Sequence, residues 1–279
     1  MRALVIGGGG AKGAIALGVI DALRARGYDW DLYAGTSTGS IIAAMEAQGQ
    51  HSLMKSIWLN IRGNGDIYKD GLLRKALGVL KGGLYDPSPL YKKLKAEVAW
   101  DKVRHPLQIA TVSMATGNLV FGSSDTAPLA DWVLASCSFP PAFPPVTING
   151  IQYADGGVRE IIPLKVAVKA GATEIDVVAC SPIDMDPTRD KFKTLVSVGT
   201  RALAISMNEI LSGDLAAEIE RTRLINRLVA AGLEPDKREI AIRLWQPLNP
   251  GIIGTLDFNP DHVLEAYRHG RQVGEGAFS

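Results

Sequence analysis

The chain has 279 residues, of which 47% are hydrophobic and 21% are charged, a composition that can bury a sizeable globular core. Lys and Arg number 30 against 29 Asp and Glu, and no basic stripe is evident, so nucleic acid is not a predicted partner. No apolar run approaches the roughly 20 residues that span a bilayer, and the N-terminal run is too short for a signal-peptide core.

The two cysteines, Cys137 and Cys180, form no metal-binding or redox motif. Both lie in apolar segments, which favours buried and reduced thiols. Together with the missing leader signal, this predicts a cytoplasmic protein. Whether the protein also associates with membrane surfaces is left open at this point.

The first fifty residues indicate two strand–turn–helix units. Arg2–Ile6 is predicted to be a buried strand, Gly7–Gly10 a turn and Ala14–Arg26 a helix. Trp30–Ala34 is predicted to be the second strand, followed after a tight turn by an apolar helix at Thr38–Gln48. Strands that alternate with helices predict a mainly parallel sheet covered by helices on both faces.

The rest of the chain is mostly helical in pattern, with several further strands. The predicted helices are Ser52–Ile61, Asp70–Leu80, Pro87–Val98, Ala127–Cys137, one from Pro163, long helices between Lys191 and Gly232, and one from Asp261. The predicted strands are Pro106–Ser113, Asn118–Ser123, Val146–Ile148, Ile151–Tyr153, Glu174–Ala179 and Glu239–Trp245. No repeat or linker is visible, so we expect one domain over residues 1–279.

Two short segments predict local backbone shape. Asn149-Gly150 between two strand-like runs is the strongest hairpin signal in the chain. The prolines of Phe139–Pro145 forbid helix there and predict extended backbone.

The segment Asp70–Lys81 pairs apolar positions with basic ones. Interfacial helices have this pattern, and as such a helix the segment could form a lid over a binding pocket. A helix packed against the sheet has the same apolar periodicity, and this second interpretation is the favoured one.

The segment Gly35-Thr36-Ser37-Thr38-Gly39 has the pattern of a nucleophile turn. A serine hydroxyl reacts only when it is presented next to a base, and a sharp strand-to-helix turn presents it in that way. Glycines two residues to either side leave room for the strained backbone. The predicted strand before Ser37 and helix after it are the context that this chemistry needs.

A glycine-rich segment, Gly7–Gly13, follows the first strand directly. Consecutive glycines let backbone N–H groups converge on one anion, as an oxyanion hole requires. Two nucleotide-binding interpretations are weaker. The loop formally matches a dinucleotide fingerprint with Asp31 as the ribose ligand, but the serine turn follows Asp31 at once. A P-loop would need Ser or Thr after Lys12, where this chain has Gly13.

The segment Asp155-Gly156-Gly157 follows the predicted hairpin. An aspartate among glycines is usually only a turn former. Its combination with the two other glycine motifs makes Asp155 a candidate catalytic residue, because none of the four histidines lies in a motif typical of catalysis. These histidines are His51, His105, His262 and His269.

In this order, the three motifs resemble those of the patatin-like phospholipases. The segment Ala135–Pro145 is also similar to the stretch before that family's aspartate. The resemblance is most specific over residues 1–45 and 130–165, and it is only general elsewhere. It implies a three-layer α/β/α sandwich with a mainly parallel central sheet, and a lipid ester as the substrate.

The resemblance also implies roles for the motif residues. Ser37 would be the nucleophile and Asp155 its base, in a dyad without histidine. Gly8, Gly9 and Gly10 would form the oxyanion hole. Supporting roles would fall to Lys12, which orders the loop, and to Gly13, Gly35, Gly39, Gly156 and Gly157. An aspartate with an ordinary pKa of about 3.9 is a weak base, so the oxyanion hole would have to contribute much of the catalysis.

Two other function classes stay open from the sequence. An ordinary α/β-hydrolase would use a Ser-Asp-His triad, with His262 or His269 as the last member. A non-catalytic protein could hold an acyl chain or a nucleotide at the glycine loop. The acidic run from Asp184 to Asp190 does not fit a calcium loop, since Arg189 takes the glycine position, and no metal or cofactor is predicted.

Overall fold

Eight strands of the described chain form one sheet. The computed structural model describes residues 1–71, 82–183, 191–234, 238–248 and 252–276. The strands are β1 (Arg2–Ile6), β2 (Leu32–Thr36), β3 (Leu107–Ser113), β4 (Leu119–Phe121), β5 (Val146–Ile148), β6 (Ile151–Asp155), β7 (Glu174–Val178) and β8 (Ala241–Trp245). Their order is β5-β6-β3-β2-β1-β7-β8, and β4 also pairs with β3. Strands β3, β2, β1, β7 and β8, neighbours in that order, run parallel to one another. The antiparallel pairs are β3 with β4, β3 with β6 and β5 with β6.

Helices cover both faces of this sheet. They are α1 (Gly13–Ala25), α2 (Thr38–Ala47), α3 (His51–Leu59), α4 (Ser88–Glu97), α5 (Leu129–Ser136), α6 (Leu164–Lys169), α7 (Leu195–Ala230) and α8 (Pro260–Gly274). Strand β1 shows the layering, because successive side chains of a strand point to opposite faces. Leu4 and Ile6 belong to the core under α1, α2, α3, α5 and α8, whereas Ala3 and Val5 belong to the core under α6 and α7. The expected three-layer sandwich with a mainly parallel sheet is confirmed.

The loops at the carboxyl ends of β1 and β2 lie side by side, because these strands are parallel neighbours with Ile6 opposite Gly35. The glycine loop follows β1, and the serine turn follows β2. In open α/β sheets, ligands bind at the carboxyl ends of the strands. The fold therefore brings two of the three predicted motifs to the edge where a site is expected.

The hairpin prediction is confirmed, since β5 and β6 pair with Ile148 opposite Ile151. Asn149 and Gly150 have φ angles of 50° and 79°, as a two-residue turn of this kind requires. Strand β2 begins at Leu32 rather than at Trp30.

Two other expectations need correction. The segment Phe139–Pro145 is not extended throughout, because the Phe143 N–H donates to the Phe139 carbonyl at 3.0 Å and closes a turn. A proline lacks its own donor but does not prevent its neighbours from bonding across it. The helical pattern after Lys191 forms one continuous helix, α7, of 36 residues. Most of Asp70–Lys81 and all of the acidic run from Asp184 to Asp190 lie outside the described residues.

Candidate active site

Ser37 stands on a strained turn between β2 and α2. Its φ and ψ angles are 55° and −130°, a region that non-glycine residues rarely adopt. The turn is tight enough to need both flanking glycines. A Cβ on Gly35 would lie 2.2 Å from the Gly39 carbonyl oxygen, and a Cβ on Gly39 would lie 2.3 Å from the Ile6 carbonyl oxygen. The predicted glycine spacing therefore has a direct steric reason.

Ser136, at the end of α5, holds the backbone of this turn. The Ser37 N–H donates to Ser136 Oγ at 2.9 Å, and Ser136 Oγ donates to the Ala110 carbonyl at 2.7 Å. Ser136 is fully buried, so each of these bonds satisfies a group that water does not reach. The sequence placed Ser136 in a family-like segment but gave it no role.

Asp155 ends β6 and is 1% exposed. The Ser37 hydroxyl lies near enough to the Asp155 carboxyl group to lower its pKa, and the Gly157 N–H donates to Asp155 Oδ1 at 2.8 Å. The Asp155 N–H donates to the Ser138 carbonyl at 3.1 Å, so the Ser136–Ser138 segment fixes both members of the pair. The structure thus brings the two predicted catalytic residues together.

Burial sets the acidity of this carboxyl group. Desolvation raises the pKa of Asp155 to about 7, although the Ser37 hydroxyl and the Gly157 N–H act in the opposite direction. A carboxylate of this pKa is a stronger base than the ordinary aspartate that the sequence suggested. The expectation of a weak base therefore needs correction.

The glycine loop packs against the serine. A Cβ on Gly8 would lie 3.0 Å from Ser37 Cβ, so only glycine fits without displacing the nucleophile. The Gly8 N–H already donates to the Ile161 carbonyl at 3.2 Å. In the described part of the chain, the N–H groups of Gly9 and Gly10 donate to no protein acceptor. Of the three predicted donors, these two are available in this conformation.

The predicted supporting residues lie around this centre. Lys12 Nζ donates to Ser181 Oγ at 3.0 Å and so links the glycine loop to the segment after β7. A Cβ on Gly13 would lie 2.5 Å from Thr38 Oγ1, and a Cβ on Gly156 would lie 2.6 Å from the Ala110 carbonyl oxygen. The glycines therefore permit close contacts around the serine turn and the aspartate.

A cavity of about 610 Å³ contains Ser37, Asp155 and the glycine loop. We call one side of it the apolar limb, which lies under α2, α3 and α4. Its lining includes Met54, Trp58, Leu90, Leu94, Phe143 and Phe258. We use the name polar limb for the lining residues Lys12, Ser181, Arg201 and Asn208, the last two from α7, which also lines the cavity with Ala204, Met207 and Leu211.

Both cysteines line the cavity beside these groups. Burial raises the pKa of the Cys180 thiol to about 12 and that of Cys137 further still. The thiolate is the reactive form of cysteine, so burial keeps both thiols in the less reactive, protonated form at neutral pH.

All four histidines are described, and none of them lines the cavity. His262 is half exposed and contacts Asp257, and His51 lies in an ion-pair cluster with Asp21 and Glu46. This arrangement speaks against the Ser-Asp-His alternative. The described residues also contain no cluster of three potential metal ligands. Within those same residues, no helix is long and apolar enough to cross a membrane.

Comparison with known proteins places the chain in a family. The family described as "Patatin-like phospholipase" matches residues 4–168. An uncharacterized NTE family protein of Mycobacterium tuberculosis is 30% identical over 200 residues, which cover 67% of this chain and 51% of that protein. A lysophospholipase NTE1 of Mycosarcoma maydis is 25% identical over 193 residues, which cover 65% of this chain and 10% of that protein.

Among solved structures, VipD from Legionella pneumophila aligns over 99% of this chain and 66% of that chain, with 15% sequence identity and a TM-score of 0.45. The chain thus spans about half the length of its mycobacterial relative. The family match covers more than half of the present chain and includes all three glycine motifs. The chain therefore belongs to the patatin-like phospholipase family.

Proposed function

We propose that this chain is a serine hydrolase that cleaves acyl ester bonds of phospholipids or related lipids through a Ser37–Asp155 dyad. One observation carries the proposal. A strained serine lies beside a buried aspartate of raised pKa in a largely apolar cavity. Family membership supports a lipid substrate, and a relative named as a lysophospholipase agrees with it.

In the acylation step, Ser37 Oγ attacks the ester carbonyl carbon while Asp155 accepts the hydroxyl proton. The negative charge on the former carbonyl oxygen is stabilised by the N–H groups of Gly9 and Gly10. The tetrahedral intermediate collapses as the bond to the alcohol breaks. Asp155 then gives its proton to the departing alcohol, and the acyl group stays on Ser37.

Water completes the cycle. It attacks the acyl carbonyl and loses a proton to Asp155, which then protonates Ser37 Oγ as the fatty acid leaves. The same carboxyl group acts as base and then as acid in each half of the reaction, as microscopic reversibility requires. A pKa of about 7 suits both roles near neutral pH.

Cavity shape supports the lipid assignment. The apolar limb is lined by aliphatic and aromatic side chains of α2, α3, α4 and the proline-rich segment, which suits an acyl chain. We also propose that residues 1–279 act as one hydrolase domain. Strands from both halves of the chain join the sheet that carries the site, which supports this.

The test is release of fatty acid from phosphatidylcholine, a lysophospholipid and a monoacylglycerol. Wild type would be compared with Ser37→Ala, Asp155→Asn and His262→Asn. We expect the first two variants to lose activity and the third to keep it. Loss with His262→Asn in a folded protein would support the Ser-Asp-His alternative. A folded wild type without activity on any ester would favour the binding-protein alternative.

A further inference from the structure

We propose that Arg201 is the residue that selects an anionic head group, so that the preferred substrates carry a phosphate next to the ester. This inference rests on the proposed function, because it assigns the part of the substrate that is not acyl chain. Arg201 lines the same cavity as Ser37 but comes from α7, which lies on the opposite sheet face from α2.

The distribution of charge in the cavity favours an anion in the polar limb. Lys93 and Glu97 both come from α4 and carry opposite charges. Asp155 is committed to Ser37. The remaining charged side chains of the lining, Lys12 and Arg201, are both cationic and both belong to the polar limb.

Arg201 itself is placed to receive a ligand. Among the described residues, no carboxylate pairs with its guanidinium group. The guanidinium group lies over the ring of Phe192, with Arg201 Cζ 5.9 Å from the ring centre. The side chain is half-buried, so a bound anion would be partly shielded from water. Guanidinium groups bind phosphate through two parallel hydrogen bonds, which makes arginine well suited to this role.

The spacing along α7 agrees with the length of a glycerol lipid. Met207 reaches the catalytic centre, since its Cε would lie 3.3 Å from a Cβ on Gly157. Arg201 precedes Met207 by six residues, which is about 9 Å along a helix axis. A glycerol unit, together with the length of an arginine side chain, spans such a separation. An ester carbonyl at Ser37 and a phosphate at Arg201 can therefore belong to one molecule.

The experiment compares two soluble esters with the same acyl chain, octanoyl lysophosphatidic acid and monooctanoylglycerol, both below the concentration at which they aggregate. The measured quantity is the ratio of kcat/KM for the phosphate ester to kcat/KM for the neutral ester. We expect Arg201→Gln to lower this ratio about tenfold or more, since it removes a charge-assisted hydrogen bond. Arg201→Lys should retain part of the preference for the phosphate ester, because lysine keeps the positive charge.

Arg223→Gln is the matched control. Arg223 lies on the same helix, its side chain is 65% exposed, and it pairs with Glu220. The ratio of kcat/KM values for Arg223→Gln should equal that of wild type. A ratio for Arg201→Gln within twofold of wild type, in an enzyme that cleaves both esters, would overturn the Arg201 assignment alone. A wild type that cleaves neither ester would overturn the proposed function and this inference with it.

Discussion

Helices α2 and α7 both line the cavity, but they differ in how the protein holds them. Helix α2 has ten residues, nearly all of them buried, and it begins directly after Ser37. Helix α7 has 36 residues, and side chains such as Val198, Ile205 and Leu224 are about half exposed. The nucleophile therefore stands at the start of an element that cannot move without disturbing the core. Arg201, which we expect to select the head group, lies on an element with a partly exposed outer face.

This difference predicts that substitutions around the two helices have different kinds of effect. Changes around α2 and its turn should affect folding and reaction together, since the same contacts serve both. Changes on α7 should affect substrate choice or stability separately. The predictions below test that division, beginning with the largest effect.

Asp155→Asn should lower kcat/KM for any acyl ester by at least about 10³-fold, as removal of a catalytic base does in other serine hydrolases. Asparagine keeps the size of the side chain and can still accept the hydrogen bond from Gly157. The fold should therefore survive, as judged by circular dichroism and thermal unfolding. Turnover close to that of wild type would remove Asp155 from the mechanism.

The raised pKa of Asp155 should also appear in stability. The folded carboxyl holds its proton up to about pH 7, whereas an unfolded aspartate loses it near 3.8. The folded state thus binds more protons in this window, so stability decreases as pH rises through it. Relative to Asp155→Asn, wild type should lose about 4 kcal/mol of unfolding free energy across the window.

Urea unfolding of both proteins at a series of pH values between about 4 and 8 measures this difference. Parallel stability curves would mean that the carboxyl group titrates normally. In the same window, kcat/KM of wild type should increase with pH and level off above about 7, because only the ionised carboxylate accepts the Ser37 proton.

Gly39→Ala should destabilise the fold by about 3 kcal/mol and abolish activity, since the new methyl group would meet the backbone of β1. The Ile6 carbonyl oxygen would lie 2.3 Å from the added Cβ, and strand backbone cannot move aside as a flexible side chain can. Thermal unfolding and ester hydrolysis check this. An active protein of unchanged stability would show that the turn has more room than the structure gives it.

Ser136→Ala should cost about 2 kcal/mol of stability and slow the reaction, because it leaves the Ser37 N–H and the Ala110 carbonyl without their partner. Ser138→Ala is the control. Among the described residues, the Ser138 hydroxyl bonds only to the Leu134 carbonyl, and the backbone bond from Asp155 to Ser138 would remain. Equal rates for the two variants would argue against a positioning role for Ser136.

Gly213→Ala should have the smallest effect, and it should raise the stability of the protein rather than lower it. Gly213 lies within α7, and outside the helix's own backbone no atom of the described residues lies within 4 Å of an added Cβ. Replacing a glycine inside a helix by alanine stabilises it by about 1 kcal/mol. We expect a higher unfolding temperature with unchanged ester hydrolysis. A loss of activity would show that α7 is coupled to the catalytic centre more tightly than its exposure suggests.

Local signals explain which parts of the molecule were predictable from sequence. Strand β1 has the predicted bounds, and the Asn149-Gly150 turn forms the predicted hairpin, because short-range backbone preferences decide both. The strained turn at Ser37 followed from glycine spacing for the same reason. The order of the three motifs was enough to identify the family.

Features that depend on distant residues were not predictable. Ser136 acts on Ser37 across 99 positions of the chain, and no local pattern indicates that bond. The pKa of Asp155 depends on burial that only the assembled sheet provides. Phe258 and Leu90 line the same cavity although neither belongs to a motif. Residue type alone therefore indicated the chemistry but not the walls of the site.

The most direct test of the Ser37–Asp155 dyad is intact-protein mass spectrometry after treatment with a fluorophosphonate, which reacts with activated serines. Wild type, Ser37→Ala and Asp155→Asn would be treated at pH 8, where the Asp155 carboxyl is ionised. We predict a single adduct on wild type that maps to Ser37, none on Ser37→Ala, and strongly slowed labelling of Asp155→Asn. Labelling of Asp155→Asn at the wild-type rate, or an adduct on a different serine, would contradict the dyad.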